Sequence, residues 1–149
     1  MLKAIHPIAG VIGFLTILLF WTSTIYSEVF GTYETVAMVK SLIVKGLLVL
    51  VPAMAIVGAT GMSIGGRRKD APAIAKKKRM PIIAANGLLI LVPAAIYLNN
   101  KAGAGSFDTG FYLVQIIELC AGATNLTLMG LSIRDGRAMT ARRRKTARK

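Results

Sequence analysis

Four apolar stretches, residues 8–26, 35–62, 81–98 and 109–133, are each long enough to cross a lipid bilayer, and the basic charge of the segments around them falls almost entirely on one side. A hydrocarbon core of about 30 Å takes about 20 helical residues. Lipid offers no partner for backbone N–H and C=O groups, so a chain of this kind is confined to helices or a closed barrel. Apolar runs of this length exclude the barrel, whose strands are about 10 residues long and alternate. The expected fold is therefore all-α: a four-helix transmembrane bundle running up-down-up-down, in one domain over residues 1–136. A basic tail, residues 137–149, follows it.

Charge sets the expected orientation. The net charge is +13, yet 54% of the residues are hydrophobic. Of the 19 Lys and Arg residues, 16 fall on Lys3, the run from Arg67 to Arg79, or the tail from Arg134 to Lys149. Only Lys40, Lys45 and Lys101 lie elsewhere. Short cytoplasmic loops are enriched in Lys and Arg, which puts both termini and the central connection inside the cell and Lys101 outside. The expected location is a bacterial cytoplasmic (inner) membrane. The first apolar stretch has no small-residue cleavage pattern after it and ends in Trp21, Tyr26 and Glu28, so it reads as a retained span.

A pI near 10.5 raises the possibility of a nucleic-acid partner. The basic runs contain no stacking aromatics, which argues against one. Contact with anionic lipid headgroups, from Arg67 to Arg79 and from Arg137 to Lys149, is the expectation, at about 1 kcal/mol per basic residue near such a surface. Cys120 is the only cysteine. It lies within an apolar stretch and carries no information about disulfides or redox compartment.

Gly46-Leu-Leu-Val-Leu-Val-Pro-Ala53 in the second stretch recurs as Gly87-Leu-Leu-Ile-Leu-Val-Pro-Ala94 in the third, with one difference. A proline lacks the N–H that would bond the carbonyl one turn back, so Pro52 and Pro93 predict loosened helices at Leu48 and Leu89. Paired interruptions of this sort occur in transporters built from inverted repeats, and leucine-rich spans also converge on similar letters by chance.

Ionisable groups inside the bilayer are costly and mark function by default. At 1.5 Å per residue, Lys45 is predicted about 15 Å deep in the second span and Glu118 about 14 Å deep in the fourth, so the two could meet near the midplane. Gln115, Glu118, Gly122, Asn125 and Met129 share one face of the fourth span. Glu34, Met38, Ser41, Lys45, Leu48 and Pro52 share one face of the second, Asn86, Ile90, Pro93 and Tyr97 one face of the third, and Trp21, Thr24 and Glu28 one face of the first. Lys45 and Glu118, lined by Gln115, Asn125 and Asn86, thus form the candidate site for a small ion, proton or solute. Glu28 and Lys40 form a candidate outer ion pair. Four spans make a small pathway, so a homo-oligomer is expected, with contact surfaces at Gly58, Gly61 and Gly65 or at Gly10 and Gly13.

The start of the first span, His6-Pro7-Ile8-Ala9-Gly10, resembles a haem-ligating helix of small transmembrane b-type cytochromes. The resemblance covers about fifteen residues and implies a haem b with His6 as an axial ligand and a role in electron transfer. Those proteins supply two histidines per haem, and His6 is the only histidine here. The second ligand would come from the His6 of another protomer, or from Met62 or Met80. A third expectation is an accessory subunit of a larger membrane complex. No HExxH, no phosphate-binding GxxxxGK and no nucleophile beside a base occurs, so the chain does not read as an enzyme.

Overall fold

The computed structural model describes residues 2–65 and 71–146. The described chain is all-helical. Helix α1 spans Leu2–Phe30, α2 Tyr33–Gly65, α3 Ala71–Asn86, a π-helical segment Gly87–Leu91, α4 Val92–Gly103 and α5 Thr109–Thr146. Four stretches are long and apolar enough to cross a membrane: Ile5–Phe30, Tyr33–Gly61, Lys77–Gly103 and Thr109–Ala138. The first, third and fourth are several residues longer than the apolar run alone, because helix continues into the flanking polar sequence, and the second matches its run closely. The expected break at residue 136 is not a structural one, since α5 runs on through Thr146. Residues Arg67 to Lys69 of the central basic run, and the last three of the tail, lie outside the described residues.

Two short links at one end join the spans in pairs. Thr32 caps α2, its Oγ1 accepting from the Thr35 N–H at 3.3 Å, and only Gly31 and Thr32 separate α1 from α2. Helix α4 ends at Gly103, and Gly105 just beyond it has a φ of 66°, open to glycine at little cost; the Ser106 N–H reaches back to the Lys101 carbonyl at 2.9 Å and closes the last turn. Asp108 then caps α5 by accepting from the Phe111 N–H at 3.0 Å.

Contacts along α1 and α2 fall in antiparallel order, from Thr24 with Lys40 to His6 with Thr60. The third span and α5 are likewise antiparallel, from Lys101 with Asp108, through Asn86 with Asn125, to Arg79 with Asp135. Helix α1 also lies along α5, where the Trp21 indole N–H donates to the Leu119 carbonyl at 3.0 Å. Two apolar layers result. Val36, Leu98, Ala102 and Phe111 fill the short-loop end, and Ile17, Leu50, Ile83 and Met129 fill the middle. Between them lies a polar layer. Outside, the bundle is covered with leucine, isoleucine and valine, Leu48 being 80% exposed.

The twin GLLxLVPA segments fold differently. Helix α2 stays α-helical through Pro52, whereas the segment before Pro93 is a π-helix, with the Val92 N–H bonded to the Gly87 carbonyl. A π turn accommodates one extra residue, which rotates everything after it by about 100° relative to an ideal α-helix. Ile90, Pro93 and Tyr97, expected on the face of Asn86, therefore turn outward, and Leu98, fully buried, takes their place.

Candidate functional site

The polar layer is built around Lys40. Its side chain has no exposed surface, and its ammonium donates to Glu118 Oε2 at 2.7 Å and lies 3.5 Å from Thr24 Oγ1. Gln115, one turn before Glu118 on α5, donates to the same carboxylate oxygen from Nε2 at 3.0 Å. Glu28 of α1 is close enough to Lys40 and Glu118 for both charges to act on it. Two buried acceptors, Glu28 Oε1 and Gln115 Oε1, have no hydrogen-bond partner among the described residues. One carboxylate thus bonds the ammonium and a second lies within reach of its charge without contacting it.

Lys40, not Lys45, is the partner of Glu118. Lys45 is exposed and takes part in none of the ion pairs among the described residues. The reason is the choice of helix face. Val36, Lys40, Ile43 and Leu50 form the seam of α2 that packs inward, while Met38, Lys45, Leu48 and Pro52 point away from the bundle. Both faces are apolar, so periodicity alone favours neither. The expected outer pair of Glu28 with Lys40 does not form as an ion pair among the described residues; Lys40 bonds Glu118 instead.

A cavity of about 50 Å³ adjoins Glu118, with Trp21, Thr24, Ile43, Leu91 and Gly122 in its wall. That is several times the roughly 10–15 Å³ needed by one water. Its wall is apolar apart from Thr24 and Glu118, so it offers space beside the carboxylate but few further polar partners. Beyond it, Asn86 and Asn125 clasp the third and fourth spans. Asn86 Nδ2 donates to Asn125 Oδ1 and to the Ala121 carbonyl, both at 2.8 Å, and Asn125 Nδ2 reaches the Ile83 carbonyl at 3.4 Å. Gln115, Glu118, Gly122, Asn125 and Met129 all face inward or sit at the bundle's interior seam, but the two asparagines spend their polar groups on each other and on backbone.

At the opposite end, His6 Nδ1 lies 2.8 Å from Thr60 Oγ1. The Thr60 hydroxyl gives its own proton to the Ile56 carbonyl, so it accepts from Nδ1–H and leaves Nε2 as the acceptor nitrogen of the ring. A Cβ at Gly61 would lie 2.9 Å from Met80 Sδ and 3.3 Å from His6 Cε1. Gly61 thus brings His6 and Met80 together; the side chain of Met62 lies outside the described residues.

Two ion pairs at the bundle ends have no counterpart in the sequence reading. Arg79 bonds Asp135 at 2.7 Å, tying the third span to α5, and Lys101 bonds Asp108 at the short-loop end. Arg-Asp and Lys-Asp pairs at matched positions of antiparallel neighbours were the available signal. Comparison with known family profiles, with characterised proteins and with solved structures returns no match.

Proposed function

We propose that this chain is an integral membrane protein, four spans running up-down-up-down with both termini cytoplasmic, that reversibly binds a proton or a small monovalent cation at the Glu28, Lys40, Glu118 and Gln115 layer. Antiparallel contacts in both span pairs support the topology, and the one-sided distribution of Lys and Arg supports the orientation. The observation that carries the site is the charge imbalance. With Lys40 neutralised by Glu118, a second carboxylate at Glu28 leaves the layer one negative charge in excess, in a setting where an uncompensated charge is costly. The unpartnered oxygens of Glu28 and Gln115 supply acceptors for the missing positive charge. The neighbouring cavity supplies room for it.

The experiment is uptake by the purified protein in sealed vesicles, followed by an internal pH dye under a sodium, potassium or pH gradient. Wild type should exchange a proton or one of these cations, and Glu28→Gln should abolish the exchange while the fold is kept. Undiminished exchange in Glu28→Gln would remove the basis of the proposal.

A second reading is kept by the meeting of His6 and Met80 at Gly61, which offers one nitrogen and one thioether donor of the kind that ligate haem iron. When bound, such a group supplies one-electron transfer. Oxidised and reduced absorption spectra decide this reading. A Soret band lost in His6→Ala supports it, and a spectrum with only aromatic absorption rejects it.

A further inference from the structure

Lys45 is left with an exposed ammonium in the middle of a membrane span. The span Tyr33–Gly61 has its midpoint at residue 47, so Lys45 sits about 3 Å from the centre. Either hydrocarbon boundary is then more than about two turns away, beyond the reach of a four-carbon stem that snorkels. Its neighbours on the outer face are Met38, Leu42, Leu48 and Val49, with Ser41, half-buried one turn back, the one hydroxyl nearby, and none of them carries a negative charge. The same face holds a second polar group. Pro52, exposed, has no N–H to give to the Leu48 carbonyl, and Leu48 is the most exposed large apolar residue of the described chain.

A second copy of this chain does not supply the missing carboxylate. Glu28, Glu34, Asp108 and Asp135 lie at or near the ends of the membrane spans, and Asp70 belongs to the connection between the second and third spans. Only Glu118 approaches the depth of Lys45, and it is 12% exposed and bonded to Lys40 and Gln115. We infer that the Lys45 face of α2 is an interface for a transmembrane helix of another protein, one that carries an aspartate or glutamate at mid-span. The carboxylate meets Lys45, and a small donor side chain one turn away meets the Leu48 carbonyl. This requires the chain to span the membrane, as proposed above, but not that it binds a proton or cation.

The test uses the full chain in lipid vesicles, with a donor fluorophore on its C-terminal tail, and a synthetic leucine-rich span carrying one central glutamate and an acceptor. Energy transfer should report association about tenfold tighter for the glutamate span than for its glutamine counterpart. Lys45→Leu should erase the difference, and Lys45→Glu should transfer the preference to a span with central lysine. Equal binding of the glutamate and glutamine spans by wild type would overturn the inference. So would self-association of the chain that needs Lys45 and is not displaced by the glutamate span, since the partner would then be a second copy. Failure of the chain to float with the vesicles would overturn the membrane-spanning reading itself, and is read separately from the fluorescence.

Discussion

A lysine with no exposed surface keeps its charge at tolerable cost only while a carboxylate stays bonded to it. Lys40→Met should therefore destabilise the bundle by about 3–5 kcal/mol, because Glu118 is left buried and uncompensated. Replacing both partners, Lys40→Met with Glu118→Leu, should recover most of that loss, which denaturation in mixed detergent micelles would measure. Lys45→Leu should behave in the opposite way. In the isolated chain it removes a lone cation whose insertion costs at least about 2.5 kcal/mol, so stability should hold or rise. Equal losses for the two lysines would contradict their different placement. At the short-loop end, Lys101 and the Phe111 N–H hold the Asp108 carboxyl down from 3.8 to about 2. A depressed carboxylate contributes its stability above its ordinary value and loses it as pH falls to the folded one. Order in residues 104–108 should thus persist to pH 4 and disappear between about pH 4 and 2, as amide exchange of the Phe111 N–H would report.

At the scale of the elements, the π segment and the proline of α2 are separable by deletion. Removing Leu89 takes out the residue that the π turn accommodates, converting it to α-helix without moving Ile83 or Leu98 from the core, so stability should change by about 1 kcal/mol or less. Removing Leu48 from the twin segment has no such slack. It rotates either the Lys40 half or the Thr60 half of α2 off its seam, and the bundle should fail to fold. Circular dichroism and thermal midpoints of the two deletions separate these outcomes. Asn125→Leu should cost about 1–3 kcal/mol, because the Asn86 amide loses one of its two acceptors, keeping only the Ala121 carbonyl, and the Ile83 carbonyl loses the Asn125 donor. This scale also marks what could be read from the letters. Long apolar runs give four helices directly, and the inward stripe from Gln115 to Met129 is legible because polar residues recur on an otherwise apolar helix. The inward face of α2 is not legible, since Val36, Ile43 and Leu50 are no more apolar than Met38, Leu42 and Val49. Nor is the face reversal after Asn86, because nothing in Gly87–Leu91 distinguishes it from its α-helical twin.

For the whole molecule, orientation and site make joint demands. With both termini cytoplasmic, a fluorescent protein fused at the C-terminus should fold and fluoresce, while an alkaline phosphatase fused there should be inactive. The polar layer then lies nearer the outer surface, under the aromatic group of Tyr33, Phe107 and Phe111, with Tyr33 and Phe107 stacked at 4.4 Å. In that orientation the basic end, held by Arg79 and Asp135, would face the cytoplasm. One buried ammonium bonded to Glu118, with the Glu28 carboxylate within reach of its charge, is the feature that makes this more than a packed bundle. The most direct test is therefore exchange of a proton, sodium or potassium by sealed vesicles containing wild type, Glu28→Gln or Glu118→Gln. Exchange by wild type, abolished in both variants while their helix content and thermal midpoints remain close to wild type, is the predicted result. Exchange that persists unchanged in both variants would contradict the account.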